Sequence, residues 1–222
     1  MASRSVEQIV DEQVRTWQAS KTSTPKKEEK KPVITVSRET GTGGQLWAQE
    51  LAKYLGFDFF DQELVHKMSE NEKISESLMR SLDERGSSII QEWLTAFSEH
   101  FWPDHYLKQL VHVVGTITQH GKAVIVGRGA QFIIPEDSCI SIRIVAPLKY
   151  KIKNVAKEQG ISEAKAEKQI TKEDSERRAF IRKYFYTDIA DPHNYDLTLN
   201  LKSTSFQTAI KTISSMVEDK KS

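Results

Sequence analysis

The chain has 222 residues, a formal net charge of +1 and 28% charged residues. A chain of this length buries a substantial core in one domain or two small ones. Its balanced charge supplies no general basic field, so nucleic acid and membrane surfaces are not predicted partners. The sequence contains no run of about 18 apolar residues, so it predicts no membrane span. The single cysteine, Cys139, favours a cytoplasmic protein and predicts a small buried filler.

Residues 1–31 differ in pattern from the rest of the chain. An apolar stripe at helical spacing predicts an amphipathic helix, and it consists of Val6, Ile9, Val10, Val14 and Trp17. The charged stretch KTSTPKKEEKK follows it as a predicted linker. The stripe must be buried, either against the same chain or against a second copy in a homo-oligomer. The sequence leaves both alternatives open.

Residues 32–222 are predicted to form one α/β domain. Short apolar runs predict five strands: VITVS (33–37), FDFFD (57–61), AVIVG (123–127), SIRIVA (141–146) and YDLTLN (195–200). Helical spacing predicts helices at about 147–158, 162–185 and 206–218, and a long helical region over about 62–121 with breaks at Gly86 and Pro103. Strands that alternate with helices predict a parallel five-stranded sheet with helices on both faces, a three-layer α/β/α fold.

Glycines follow the first predicted strand at once and precede the helix QLWAQELAKYL. A helix N-terminus presents unpaired N–H groups and a positive dipole, and glycines let the preceding loop curl around an anion. This glycine loop is therefore predicted to bind phosphate, and a tight turn without a ligand is the alternative. Its residues are Thr40, Gly41, Thr42, Gly43, Gly44 and Gln45.

The loop departs from the standard phosphate-binding motif G-x-x-x-x-G-K-[ST]. Arg38 stands at the first glycine, Gly44 at the lysine and Gln45 at the hydroxyl residue. The backbone part of the motif remains, while the two side chains that normally reach phosphate and Mg²⁺ are missing. Arg38 is the candidate to replace the lost charge. A surface arginine paired with Glu39 or Glu50 is the alternative.

Three segments resemble the cytidylate kinase-like family, a branch of the P-loop nucleoside monophosphate kinases. They are ITVSRETGTGGQLWAQELAKYLGFDFFDQELV, VIVGRGAQFIIPE, and ITKEDSERRAFIRKYF followed by DPHNYDLTLN, and they extend from about residue 33 to 200. The resemblance implies a nucleoside monophosphate (NMP) kinase-like fold, with a helical NMP-binding insertion at about 62–121 and a lid at about 160–185. It also implies transfer of the ATP γ-phosphoryl group to CMP or dCMP with Mg²⁺.

The resemblance further implies the site residues. Arg128, between Gly127 and Gly129, follows a buried strand where open α/β sheets bind ligands, and a strand-end role is the alternative. The lid helix supplies phosphate contacts or else forms a salt-bridged surface. Its candidates are Asp174, Arg177, Arg178 and Arg182. Helical spacing predicts 174, 178 and 182 on one face, with 177 beside them. Asp61 ends the second strand next to the nucleotide, where the expected role is to hold Mg²⁺ through water or to orient a phosphate-binding arginine. Capping of the next helix is the alternative, and Asp61 can serve both roles. No metal-ligating side chains are predicted.

Three functions remain open at this point. The first is a kinase acting on cytidine nucleotides. The second is a nucleotide-binding or regulatory protein that keeps the fold without turnover, which the missing lysine and hydroxyl favour. The third is an assembly module in which the N-terminal helix is exchanged between subunits.

Overall fold

The computed structural model describes residues 5–22, 32–100 and 104–220. In these ranges the strands are β1 (Val33–Arg38), β2 (Asp58–Phe60), β3 (Ala123–Val126), β4 (Cys139–Val145) and β5 (Leu197–Asn200). They pair in parallel in the order β2-β3-β1-β4-β5. The predicted parallel five-stranded sheet is confirmed. Its central strand, β1, is the one that leads into the glycine loop.

The helices of the described ranges cover both faces of this sheet. They are α1 (Val6–Thr22), α2 (Gly44–Leu55), α3 (Gln62–Glu70), α4 (Glu72–Arg80), α5 (Glu84–His100), α6 (His105–His120), α7 (Leu148–Gln159), α8 (Glu163–Phe185) and α9 (Phe206–Asp219). Helix α2 ends at Gly56, whose φ of 65° lies in the left-handed region that glycine favours. Most boundaries fall within two residues of the predicted ones.

Side chains alternate between the two faces of the central strand. Ile34 packs in a core with α2 and α9, which includes Leu51 and Ile213. Val33 packs in a second core with α3, α4 and α6, which includes Leu78. Successive strand residues point to opposite faces, so the two clusters are the two sides of one sheet. The three-layer α/β/α prediction is confirmed.

Cys139 opens β4 and is 3% exposed. Its Sγ lies 3.4 Å from the Oγ1 of Thr35. Burial raises the pKa of this thiol to about 11. The prediction of a buried filler is confirmed, because the thiol is enclosed and stays protonated at neutral pH.

The helical region between residues 62 and 121 divides where polar side chains cap new helices. Asn71 separates α3 from α4 and caps α4 by accepting a hydrogen bond from the N–H of Ile74 at 3.3 Å. The break predicted at Gly86 is not found. Gly86 lies in the first turn of α5, where its N–H donates to Oδ1 of Asp83 at 2.8 Å. Pro103, the other predicted break, lies outside the described residues.

The N-terminal helix α1 packs on its own chain. Val10 and Trp17 are buried in the same core as α3, α4 and α6. The indole of Trp17 stacks on the ring of His120 with centroids 3.9 Å apart. Gln13 donates a hydrogen bond to Asp58, at the start of β2, at 2.7 Å. This corresponds to the first of the two alternatives, and these contacts give no support to a homo-oligomer through α1. The predicted linker lies almost wholly outside the described residues.

Helices α7 and α8 form a pair with a small core of their own. Its buried members are Ile152, Val155, Ala166 and Ile170. The pair follows β4, whose carboxyl end lies beside that of β1. It therefore brings the middle of α8 against the glycine loop, as the contacts of Thr40 below show in detail.

Candidate active site

The last residue of β1, Arg38, sends its side chain along the carboxyl edge of the sheet towards Gly127. An ideal Cβ on Gly127 would lie only 2.8 Å from Nη1 of Arg38, so this glycine makes room for the guanidinium. Burial, followed by repulsion from Arg177 and Arg128, lowers the pKa of Arg38 to about 10. Among the residues that the structure describes, no carboxylate forms an ion pair with Arg38 and no side chain accepts a hydrogen bond from it. Arg38 is thus a charged and unpartnered cation at neutral pH.

The segment after β3 is held in a rare backbone conformation. Gly127, Arg128 and Gly129 have φ values of 79°, 58° and 68°. This left-handed region is unfavourable for a residue with a side chain, and such strain concentrates at functional sites. The guanidinium of Arg128 lies 5.4 Å from the centroid of the Phe180 ring. Its Nε is buried and has no hydrogen-bond partner within the described part of the chain. The backbone therefore aims a second, incompletely satisfied cation at the same edge.

These side chains line a cavity of about 380 Å³, which we call the arginine cleft. Its walls contain three cations, two carboxylates, two amides and an apolar patch: Arg38, Arg128, Arg177, Glu173, Glu176, Gln62, Gln131, Phe180, Ile181 and Ile189, with Ser37, Gly127 and Gly129. Ligand pockets typically measure about 300–1,000 Å³. The arginine cleft is thus large enough for a small anionic ligand with one apolar face.

The glycine loop itself is a compact turn that leads into α2. Gly41 and Gly43 have φ values of 79° and 76°. The hydroxyl of Thr42 donates to the carbonyl of Glu39 at 2.8 Å and accepts from the N–H of Gly44 at 3.2 Å. Gly43 precedes α2 and has no side chain to cap it, so the Thr42 hydroxyl satisfies the first N–H of the helix instead. Its two left-handed glycines and its position before a helix are features of loops that bind phosphate through backbone N–H groups.

Acidic and basic side chains close over this loop in what we call the glycine-loop network. Asp174, from α8, accepts from the N–H of Thr40 at 2.8 Å. Lys151, from α7, lies 2.9 Å from Oε2 of Glu39 and 3.4 Å from Oδ2 of Asp174. Arg177 lies 3.0 Å from Oδ1 of Asp174 and donates to the hydroxyl of Thr40. In this network the cations and the carboxylates are paired with one another.

The remaining predicted site residues have different surroundings. Asp61 caps α3, since its Oδ1 accepts from the N–H of Leu64 at 2.8 Å, and its charge also acts on Arg38. Arg178 and Arg182 are 52% and 62% exposed and lie 3.8 Å and 3.6 Å from the carboxylate of Asp188. They do not belong to the lining of the arginine cleft, so the phosphate contacts expected of these two arginines stay a prediction.

Gln45 and the backbone of Gly43 are exposed at the start of α2. Residues 40–45 lie outside the lining of the arginine cleft. The structure thus separates the predicted phosphate loop from the arginines of the cleft. Arg177 contacts both, because it lines the cleft and also belongs to the glycine-loop network.

Sequence reasoning missed four buried or half-buried polar residues that hold this edge together. Arg143, from β4, donates from Nη1 to Oγ of Ser37 at 2.7 Å. The hydroxyl of Tyr195 lies 3.2 Å from the same oxygen and 2.8 Å from the carbonyl of Ile189. Glu39 and Lys151 belong to the glycine-loop network. For Lys151 the sequence does carry a signal of burial, because it stands four residues before Val155 on the buried face of an amphipathic helix.

The fold and this edge define a class of protein. A parallel sheet whose central strand runs into a glycine loop and a helix, with arginines at the same carboxyl edge, is the arrangement of the P-loop NMP kinase-like proteins. The chain belongs to the cytidylate kinase-like family, whose model matches residues 33–203. The family resemblance read from the sequence is confirmed.

Individual relatives are distant. The chain is 26% identical to a cytidylate kinase of Desulfurococcus amylolyticus over 83% of this chain and 92% of the relative. It is 23% identical to a cytidylate kinase of Ignicoccus hospitalis over 83% and 98%. An uncharacterized protein from Eubacterium ventriosum has a similar fold, with a TM-score of 0.66, 23% identity and coverage of 86% and 99%. Across the described ranges, the helices are too short or too polar to span a membrane.

Proposed function

We propose that the protein transfers the γ-phosphoryl group of ATP to a nucleoside monophosphate, with CMP and dCMP as the acceptors. A phosphate oxygen of the acceptor attacks the γ-phosphorus, the bond to the β-phosphate oxygen breaks, and ADP leaves. The observation that carries this proposal is the pair of cations Arg38 and Arg128, which line the arginine cleft and form no ion pair with a carboxylate of the described residues. An enclosed surplus of guanidinium groups suits a phosphate, whose oxygens accept charge-assisted hydrogen bonds.

We assign the two ends of the acceptor to different walls of the arginine cleft. Its phosphate lies against Arg38 and Arg128, and the apolar wall around Phe180 faces its base. The amides of Gln62 and Gln131 and the hydroxyl of Ser37 are uncharged hydrogen-bonding groups of the lining. Sequence reasoning assigned Arg38 to the ATP phosphates. The proximity of its guanidinium to Gly127 favours the acceptor phosphate instead.

The donor phosphates fit the glycine loop. The N–H of Thr40 already holds an anion, the carboxylate of Asp174, and Lys151 and Arg177 lie around it. No group of three His, Cys, Asp or Glu side chains in the described ranges is arranged to hold a metal ion. Mg²⁺ in phosphoryl-transfer sites is held largely by phosphates and water, so we expect it to enter with ATP and to neutralise phosphate charge.

A specific observation also favours a second candidate, a nucleotide-binding or regulatory protein without turnover. Gly44 stands where the motif has its lysine, and an ideal Cβ there would lie 2.9 Å from Cβ of Arg38. The loop therefore has neither the lysine nor the room for it. Loss of that cation lowers the stabilisation of the transferring phosphoryl group.

A coupled phosphotransfer assay separates the two candidates. Purified protein is incubated with ATP, Mg²⁺ and, in turn, CMP, dCMP, UMP and AMP, and ADP formation is followed. The proposal expects turnover that is fastest with CMP or dCMP. Binding of ATP by calorimetry without turnover on any of the four acceptors would refute the kinase and leave the second candidate.

A further inference from the structure

The glycine loop lacks its usual lysine for a steric reason that involves a second departure from the motif. An ideal Cβ on Gly44 would meet Cβ of Arg38 at 2.9 Å, Oγ1 of Thr42 at 3.1 Å and Cγ2 of Ile144 at 3.2 Å. Real Cβ atoms are not found that close to a neighbour's Cβ. Arginine at the first glycine and glycine at the lysine are thus coupled exchanges. A cation for the loop must come from another element.

Helix α7 lies directly on the loop and fixes the position of such a cation. An ideal Cβ on Gly41 would lie 2.8 Å from the carbonyl oxygen of Lys151 and 2.9 Å from Cγ2 of Val155. The side chain of Asn154 donates to the carbonyl of Gly41 at 3.0 Å. Lys151 is therefore held against the loop by its own backbone, and it is 7% exposed.

The amine of Lys151 reaches across the loop to the carboxylates of Glu39 and Asp174. A buried lysine is stable only when its charge is paired. The same Asp174 carboxylate accepts from the N–H of Thr40 and from Arg177. One acidic side chain therefore occupies a point where a backbone N–H, an ammonium and a guanidinium converge. These are the partners that a phosphate takes at a glycine loop.

We propose that Lys151 is the phosphate-binding lysine of this glycine loop, and that the donor phosphates take the place of the Asp174 carboxylate on Lys151 and on the N–H of Thr40. This inference rests on the proposed function only in taking ATP as the donor. Displacement of Asp174 frees Lys151 and Arg177 from one carboxylate each, while Glu39 keeps Lys151 over the loop. Helix α8 then shifts relative to β1 when ATP binds.

The test is calorimetric titration with ATP·Mg²⁺ and with adenosine in the absence of any acceptor. Lys151→Met is expected to weaken ATP binding at least tenfold and to leave adenosine binding unchanged. Lys151→Arg keeps the charge and is expected to retain most of the affinity. Lys153→Met is the matched control, because Lys153 is exposed on the same helix, and it should bind ATP as the wild type does.

A second variant separates phosphate binding from a purely structural ion pair. Asp174→Asn removes the competing negative charge and is expected to bind ATP severalfold more tightly than the wild type. Thermal unfolding of each variant checks that it is folded. Unchanged ATP affinity in folded Lys151→Met, or weaker binding in Asp174→Asn, would overturn the inference. Since no acceptor is present, these results are independent of whether the protein turns over CMP.

Discussion

The arginine cleft and the glycine-loop network are neighbouring regions with positively charged side chains. They differ in whether carboxylates of the same chain balance that positive charge. In the arginine cleft, Arg38 and Arg128 have no carboxylate partner among the described residues. In the glycine-loop network, Lys151 and Arg177 each lie within 3.4 Å of two carboxylates. Both regions lie at the carboxyl edge of one sheet. The difference is therefore a property of the side chains and not of the topology.

The comparison indicates how each region binds an anion. A buried cation without a partner destabilises the folded chain unless a ligand supplies the charge, so the arginine cleft suits an anion from solution. The glycine-loop network is neutralised by the chain's own acids, so a ligand there must displace a carboxylate. This predicts that the cleft binds its phosphate by direct addition and that the loop binds by exchange.

The largest expected effect comes from removing a cation of the cleft. Arg128→Met deletes a guanidinium that faces the acceptor phosphate and is expected to lower kcat/KM for CMP by about 10²- to 10³-fold. Initial rates at several CMP concentrations measure it. Arg80→Met, at the exposed end of α4, is the control and should match the wild type. An Arg128→Met variant with wild-type kinetics would remove the cleft from the reaction.

The next prediction concerns the loss of stability on substituting Gly41 or Gly43, two glycines of the loop that share a left-handed conformation. A Cβ on Gly41 would meet the backbone of α7 at 2.8 Å, whereas a Cβ on Gly43 would meet no atom of the described residues within 4 Å. Gly43→Ala is therefore expected to cost only the backbone strain, about 1 kcal/mol. Gly41→Ala adds a clash and should cost about 3 kcal/mol. Urea unfolding measures both, and equal losses would contradict the tight packing of α7 on the loop.

Much of the fold was readable from local sequence. β-Branched runs identify β1, β3 and β4, and the glycines after β1 and the polar start of α2 locate the loop. Helix ends were less readable, since Asn71 starts α4 through a side-chain cap while Gly86 lies inside α5. A cap depends on one hydrogen bond, and composition alone does not distinguish it from an ordinary polar residue.

The site was less predictable, because its contacts join distant parts of the chain. Thr40 and Asp174 are 134 residues apart in sequence, and neither carries a local sign of the other. The inner face of α8 was nevertheless available from its apolar residues. Ile170 and Ile181 are buried, and at 100° per residue Asp174 and Arg177 fall on their face while Arg178 turns away from it. The sequence-based grouping of residues 174, 178 and 182 on one face did not take this buried apolar face into account.

A third experiment tests the charge balance of the two regions through stability. Arg38→Met removes a cation whose pKa is lowered to about 10 by burial and by Arg177 and Arg128, and it is expected to stabilise the fold by about 1 kcal/mol. Lys151→Met leaves Glu39 and Asp174 without their shared cation and should destabilise the fold by about 2 kcal/mol. Urea unfolding at pH 7 gives both values. Changes of the same sign would show that the two regions are not balanced differently.

The smallest effect concerns Arg178 and Arg182, which pair with Asp188 on the outer side of α8. A hydrogen bond from the N–H of Ala190, together with these arginines, lowers the pKa of the Asp188 carboxyl below its usual 3.8. A carboxyl group whose pKa is lowered by folding stabilises the folded chain at pH values above its usual pKa. This contribution is lost as the pH falls through the lowered pKa. Asp188→Asn should therefore unfold at a slightly lower temperature than the wild type at pH 7, and the two should converge as the pH falls through the lowered pKa of Asp188.

The same variant tests the role that the family resemblance gives to these arginines. If Arg178 and Arg182 form only a surface ion pair, Asp188→Asn binds ATP with wild-type affinity in the calorimetric titration, which is the outcome that the structure favours. If they contact phosphate when α8 closes, removing Asp188 frees two guanidinium groups, and ATP binding becomes tighter. Tighter binding would extend the glycine-loop network along α8, and the sharp division between paired and unpaired cations would then hold only for the protein without its nucleotide.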